Sequence, residues 1–444
     1  MTYDECLKEM YSLRRFGIKL GLDIIEDILN GLGNPQNSFS CIHIAGTNGK
    51  GSIASELAAI FTDAGYKTGL YTSPHLIRFN ERIRIDGRDI CDDDVVKAYN
   101  AVKNVHQGDR EPTFFEYTTA MALYAFAKAG VKWGIIETGM GGRLDATNIL
   151  NPEVCIISNI SKEHSFYLGN TLAQIAYEKG GIIKKNVPVI TAARQKAAVD
   201  VLRRIAAERN APFFRLGEQF RIRRHKKAVF PGTFSYYGIE HQYPDVKLSL
   251  AGSHQADNAA VVIAACEILM KNQTTLSEKN IRAGVSGVNW PGRLEILPMM
   301  PTVIIDGAHN LDAARRLAVF LKDYADGRPI TLVIGILDDK PCLAMLKCLL
   351  PLADRVIFTQ PEIDRRLSAK TLHDQSQGLF PEKLLNATII ENVGEAVKAA
   401  IETTPPENLI CIAGSLYVAG EAKYYIETMN AGTQPDHAKM PFIS

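Results

Sequence analysis

Short apolar runs alternate along this chain with stretches in which apolar residues recur every third or fourth position. That is the pattern of buried strands joined by amphipathic helices. Residues 1–34 predict two helices around a turn holding Phe16, Gly17 and Ile18, closed by Gly31, Gly33 and Pro35. Residues 41–45 predict the first buried strand and 53–64 a helix, with Gly65 where a C-cap falls. A second strand at 69–73 is stopped by Pro74, and 82–85 alternates before Asp86-Gly87, a hairpin turn. Residues 113–127 and 171–179 predict helices and 154–160 a buried strand. Residues 213–250 are aromatic and β-branched, broken by Pro231-Gly232 and Tyr243-Pro244, and predict a small antiparallel sheet. A helix at 255–271 follows, and Trp290-Pro291-Gly292-Arg293 interrupts the pattern. Strands at 302–305, 330–336, 355–359, 387–390 and 409–413, with helices between, predict a second and smaller α/β unit.

At 444 residues the chain holds two or three domains. Its net charge of +1 argues against a polyanion such as nucleic acid as the main partner. The one basic run, 221–227, reads as a solvated strand face. Eight cysteines without a CxxC pair fit reduced thiols better than a disulfide framework. Asp4, Glu5 and Lys8 stand where a signal peptide is apolar, and no run reaches transmembrane length. The expectation is a cytoplasmic enzyme with no membrane contact.

The stretch His43-Ile44-Ala45-Gly46-Thr47-Asn48-Gly49-Lys50-Gly51-Ser52 carries the chemistry. Strand, Gly-rich turn and helix cradle phosphates: glycines let backbone N–H groups approach, the helix start adds positive potential, and Lys50 adds a full charge. The strict P-loop spacing is not met, since its first glycine falls at Ile44 and Gly51 follows the lysine. The loop still predicts an ATP or GTP site. It makes residues 1–295 a P-loop-type ATPase domain with a mainly parallel sheet, 296–430 a Rossmann-like α/β domain, and 431–444 a tail.

Other chemistry gathers just past strand ends, where open α/β sheets place ligands. Ser73 and His75 follow the second strand, either as ligands or as a Ser-Pro turn. Glu137 ends another strand and enters Thr138-Gly139-Met140-Gly141-Gly142-Arg143-Leu144-Asp145, well placed to hold Mg²⁺. His164 follows 154–160, and Lys179 sits in a last helical turn. Gly252-Ser253-His254-Gln255-Ala256-Asp257-Asn258 is an amide-rich helix start suited to hydrogen-bonding a base. Asp306, His309 and Asn310 follow a strand of the second unit as a clamp on the nucleotide.

Gly46 to Ser52, Ser73-Pro74-His75-Leu76, Glu137 to Asn148, Glu178-Lys179, Trp290 to Arg293 and Asp306 to Asn310 together resemble the folylpolyglutamate synthase/dihydrofolate synthase family of the Mur-ligase superfamily. The resemblance runs in order from about Phe16 into the second domain. It implies an ATP-dependent ligase that adds L-glutamate to a folate-type carboxylate: tetrahydrofolate, dihydropteroate, or both. It implies that Gly46, Thr47, Asn48, Gly49, Lys50, Gly51 and Ser52 hold the triphosphate, and that Ser73, Glu137 and His164 bind magnesium, two ions in all. Asn258 resembles the adenine contact, and Arg293, Asp306 and His309 the nucleotide contacts from the hinge and second domain. Lys50, Lys179, Arg293 and His309 are the implied catalytic groups. Lys179 is expected to be carbamylated, as in several relatives. Two departures stand out: Glu163-His164 where the family usually has Asp-His, and Gly180 where it commonly has Ala.

The chemistry fits those parts. An amine cannot displace oxide from a carboxylate, whereas an acyl phosphate has a good leaving group, and positioned cations neutralise the charge that develops. A cell-wall Mur ligase is the nearest rival, but the short stretch before the loop leaves no room for its nucleotide-sugar domain. A nucleotide-hydrolysing switch is the other, and differs in needing no glutamate. A monomer is expected.

Overall fold

The computed structural model describes residues 1–13, 17, 21–106, 110–225, 230–272 and 274–432. Phe16 and Ile18 of the predicted first turn, Lys226 and Lys227 of the basic run, and the tail from residue 433 lie outside the described residues.

An eight-stranded sheet organises the first domain. From edge to edge it runs Arg88–Asp89, Ile83–Ile85, Thr68–Tyr71, Trp133–Glu137, Ser40–Ala45, Val154–Ile157, Val189–Thr191 and Phe213–Arg215. The two strands at the first edge are antiparallel and the other six parallel. Ser40–Ala45 is central, and the chain leaves it for a strand on one side and returns later to the other. The loop after this strand therefore lies at the topological switch point, where such sheets bind ligands. The hairpin at the edge turns on Asp86 (φ 50°) and Gly87 (φ 76°), the left-handed pair that a tight two-residue turn demands.

Helix Lys50–Asp63 packs on this sheet beneath helix Gln255–Asn272. Residues 259–266 of the latter are all buried, so it is apolar all round instead of one-sided. Caps fix the helices that carry the site. Thr113 and Glu116 close a capping box ahead of Phe114–Ala129, and Thr171 with Gln174 does so for Leu172–Gly180.

The predicted small antiparallel sheet is present but shorter: Arg221–Arg224, Thr233–Tyr237 and Gln242–Lys247. Phe213–Arg215, expected in it, instead extends the large sheet in parallel beside Val189–Thr191. The buried Glu267 carboxylate pins the small sheet to the long helix, accepting from Tyr236 Oη (2.7 Å) and the amides of Ile239 (2.9 Å) and His241 (2.8 Å).

A second sheet of six strands runs Glu295–Leu297, Thr302–Ile305, Leu409–Ala413, Ile330–Ile334, Arg355–Phe358 and Thr388–Ile389, parallel except for its first pair. No helix among the described residues is long and apolar enough to cross a membrane.

Candidate active site between the two domains

The phosphate loop is built by contacts that leave little choice of residue. Gly46 (φ 142°) lies so close to the neighbouring strand end that a Cβ there would sit 1.9 Å from Ser158 Oγ. Gly49 (φ 86°) caps helix Lys50–Asp63, and a Cβ on it would lie 2.7 Å from Asn258 Oδ1. The Asn48 carbonyl accepts from Ser158 Oγ (2.7 Å) and Asn159 Nδ2 (3.0 Å), and its N–H donates to Asn159 Oδ1 at 3.0 Å. Thr47 Oγ1 exchanges hydrogen bonds with the backbone of Ser161. Gln255 Nε2 reaches Ser52 Oγ at 3.4 Å, and Asn258 Nδ2 donates to Gln255 Oε1 at 2.7 Å. The strand expected over 154–160 stops at Ile157, which frees Ser158 and Asn159 to hold the loop.

Lys50 is the first residue of its helix. Its Nζ donates to the carbonyls of Gly46 (3.1 Å) and Thr47 (3.3 Å) and stands 3.8 Å from Glu137 Oε1. Glu137, on the adjacent strand end, accepts the Ser73 N–H on Oε2 at 3.2 Å. Burial pushes the Glu137 carboxyl above its ordinary range, against the pull of Lys50. Lys50, Ser73, Glu137, Glu163, His164, Asn258, Arg293, Asp306 and His309 all line one cleft.

Lys179 is 1% exposed and donates to the Gly46 carbonyl and to Glu163 Oε1, each at 2.8 Å. Burial drives its pKa down, opposed by Glu163. Burial opposes ionisation of Glu163 too, but the Lys179 and Lys50 ammoniums outweigh it and hold the acid at about 2. His164, with φ 46°, leads into helix Ser165–Leu168, and burial lowers its pKa. Arg143 grips Glu178 beside this pair, at 3.0 Å from Nη2 to Oε1.

The hinge and second domain supply the opposite wall. Asp306 accepts the amides of Leu294 (2.8 Å) and Ala308 (2.9 Å), so it closes the turn out of the hinge as well as facing the cleft. Burial raises it to about 6, Arg293 pulling the other way. His309 Nδ1 lies 2.9 Å from the Gly307 carbonyl, and burial with the nearby Arg293 charge lowers its pKa to about 4. Asn310 Nδ2 donates to Asn48 Oδ1 at 3.0 Å, and Asn48 Nδ2 to Asp312 Oδ2 at 3.0 Å, so the domains touch across the loop itself.

Sequence reasoning does not single out Ser158 or Asn159, nor see Glu163 as the partner of Lys179. The signal for the first two was present: polar residues interrupt what was read as one apolar strand.

A parallel sheet with a phosphate loop at its switch point, capped across a cleft by a second α/β domain, defines an ATP-dependent Mur-type ligase. Residues 44–266 match the Mur ligase middle domain and 292–416 the Mur ligase glutamate ligase domain. The chain is 35% identical to the dihydrofolate synthase/folylpolyglutamate synthase of Bacillus subtilis over 95% of its own length and 98% of that protein's. It belongs to the folylpolyglutamate synthase/dihydrofolate synthase family. Its fold is similar to that of Escherichia coli FolC in complex with DHPP and ADP (TM-score 0.88, 28% identity, 97% and 99% of the chains). It is also similar to the bifunctional Yersinia pestis enzyme complexed with AMPPNP and a Mn ion (TM-score 0.85, 28% identity, 96% and 98% of the chains).

Proposed function

We propose that this protein uses ATP to join L-glutamate to the carboxylate of a folate-type substrate, tetrahydrofolate, dihydropteroate or both, through an acyl phosphate. The observation that carries the reading is the convergence in one cleft of Lys50, the Ser73–Glu137 pair, and Arg293 with His309 from the far side. The loop 46–52 holds the triphosphate by backbone N–H groups and Lys50. Asn258, packed on Gly49, takes the base side, and Arg293, Asp306 and His309 clamp from the hinge and second domain. The substrate carboxylate attacks the terminal phosphorus, the bond from that phosphorus to its bridging oxygen breaks and ADP leaves, and Lys50 and Arg293 neutralise the charge on the transferring group. The glutamate amine then attacks the acyl carbon and phosphate leaves. With the domains closed, water is kept from that intermediate.

A divalent metal fits these residues. No three His, Cys, Asp or Glu groups among the described residues gather as a metal cluster. Mg²⁺ takes one or two protein oxygens and completes its shell with phosphates and water. Glu137 and Ser73 supply hard oxygens side by side, with His164 on the same cleft, and two ions are part of the proposal. Bound there, the metal would neutralise phosphate charge and orient the terminal phosphate.

Lys179 as a carbamate belongs to the same proposal, conditional on metal. Its amine adds to CO₂ with release of one proton, and burial favours the neutral amine this needs. Glu163 at 2.8 Å opposes the modification, because two carboxylates would then face each other. A bound divalent cation would offset that opposition, and without one the Glu163 carboxylate favours the Lys179 ammonium. The domain division is placed at 295/296, and a cytoplasmic monomer is part of the reading.

The test is phosphate release from ATP and Mg²⁺ with each pterin carboxylate, with and without glutamate. Release that needs all components together is expected. Equal ADP production with glutamate omitted overturns the ligase in favour of a hydrolysing switch.

A further inference from the structure

The hinge tryptophan is in contact with the phosphate loop. Trp290 lies so close to Gly51 that a Cβ there would stand 2.9 Å from the indole Nε1 and 3.0 Å from Cζ2. Gly51 is the second residue of helix Lys50–Asp63, immediately after Lys50. The Arg84 guanidinium sits 5.2 Å from the indole centroid and is itself ion-paired to Asp89 at 2.7 Å. Arg84 belongs to strand Ile83–Ile85, which pairs with Thr68–Tyr71, the strand that leads into Ser73. A second cavity beside the nucleotide cleft is lined by Gly51, Ser73, Arg84, Trp290 and Arg293 together.

Three residues beyond the indole the chain reaches Arg293. Between the two, the Gly292 carbonyl accepts the Gly307 N–H at 2.8 Å and its N–H donates to Glu295 Oε2 at 2.9 Å. Glu295 is held in turn by Lys423 at 2.5 Å. The far end of the hinge is thus fixed to the second domain, and the near end to the phosphate loop. The linkage is short and has few free torsions, so a displacement of the indole is passed on to the arginine.

We propose that Trp290 is a positioning residue: clamped between Gly51 and Arg84, it registers the phosphate loop to the hinge and so sets where Arg293 meets the nucleotide. The indole touches no reacting atom. It acts by keeping the first domain's lysine and the hinge's arginine at a fixed separation, which is the requirement for stabilising charge that develops between them. This rests on the ligase reading above and adds to it the residue that couples nucleotide binding to domain orientation.

The experiment uses the full-length chain, first shown to release phosphate only with ATP, Mg²⁺, pterin and glutamate together. If the parent fails that requirement, the ligase reading falls, and the nucleotide measurements below still judge the proposal alone. Trp290→Ala is expected to lower kcat about a hundredfold, the scale of a 1 Å misplacement, with KM for the pterin within about threefold of the parent. Trp290→Phe, which keeps a ring against Gly51, is expected to recover most of the rate. Gly51→Ala, which pushes the indole away, is expected to reproduce the alanine variant. The chain has two tryptophans. Adding ADP with Mg²⁺ is therefore expected to change the emission of the parent and to leave Trp290→Phe unchanged. Should Trp290→Ala fail to fold, the phenylalanine and Gly51 variants and the emission carry the decision. Parental kcat in Trp290→Ala or Gly51→Ala, or an emission change that persists in Trp290→Phe, overturns the proposal.

Discussion

Removing the Glu163 carboxylate should destabilise the metal-free protein by about 3–5 kcal/mol at pH 7, the usual cost of stranding one member of a buried ion pair. Lys179 Nζ has two acceptors, the Gly46 carbonyl and Glu163 Oε1, and is 1% exposed. In Glu163→Ala one acceptor is gone and no water replaces it unless the loop opens. The lysine can limit the damage by shedding its proton, and that sets a ceiling. Going from an unfolded pKa of about 10.4 to neutrality at pH 7 costs about 4.6 kcal/mol, so the loss cannot much exceed that. The sign with pH follows. The variant's folded lysine has a pKa below the unfolded one, so between those two values the unfolded chain binds more protons and stability rises with pH. The deficit against the parent should therefore shrink steadily as pH approaches 10. Urea melts at pH 7, 8.5 and 10, in chelator so that metal-dependent modification of Lys179 is not in play, measure it. The double variant Lys179→Met/Glu163→Gln should be far less damaged than Glu163→Ala, because it strands no charge. A deficit below about 1 kcal/mol, the value of an exposed pair, or one that ignores pH, refutes the reasoning and takes the apo ion pair with it.

Three further outcomes follow from the same geometry. Lys50→Ala removes the only full charge on the phosphate loop and should cost on the order of a thousandfold in turnover; a loss of less than about tenfold contradicts the loop's assignment. Asp306→Ala and His309→Ala should slow turnover far more than they weaken pterin binding measured by calorimetry, and a collapse of pterin affinity with normal ATP handling would place substrate on the second domain instead. His43, buried in the central strand with Nε2 2.7 Å from Thr147 Oγ1, has its pKa lowered to about 3 by burial. Since the unfolded histidine protonates near 6.5, stability is lost as pH falls below that value, by about 2 kcal/mol at pH 5, and His43→Gln should melt with a smaller drop between pH 7 and pH 5.

Which parts of this molecule are legible in its sequence depends on how local their causes are. The strand 41–45, the loop 46–52 and the helix after it are specified by neighbours in the chain: an apolar run, glycines where φ is positive, a lysine at the helix start. The same is true of the hairpin on Asp86-Gly87 and of Glu137 at its strand end. Misreadings fall where a distant partner decides. Phe213–Arg215 has the composition of the small sheet, yet it pairs in parallel with Val189–Thr191 and becomes the edge strand of the large one. Ser158 and Asn159 break the apolar run after Ile157, but the group they hold, the Asn48 carbonyl, comes from 110 and 111 residues earlier in the chain.

Glu163 is the most informative of these cases. In the sequence it is a departure beside His164, and nothing within the nearest residues explains it. In three dimensions its carboxylate meets an ammonium supplied from 16 residues on, and that ammonium also holds the carbonyl of Gly46. One methylene more than Asp lets the carboxyl span that gap directly, so Glu163 ties Lys179 to the first glycine of the phosphate loop. An Asp at this position is too short to make the same contact without moving its backbone. Glu163→Asp should therefore weaken the grip on Gly46 even though the charge is kept. The cost should appear in ADP affinity measured in chelator, where Lys179 keeps its ammonium, before it appears in melting, since the loop is the part left with one restraint fewer.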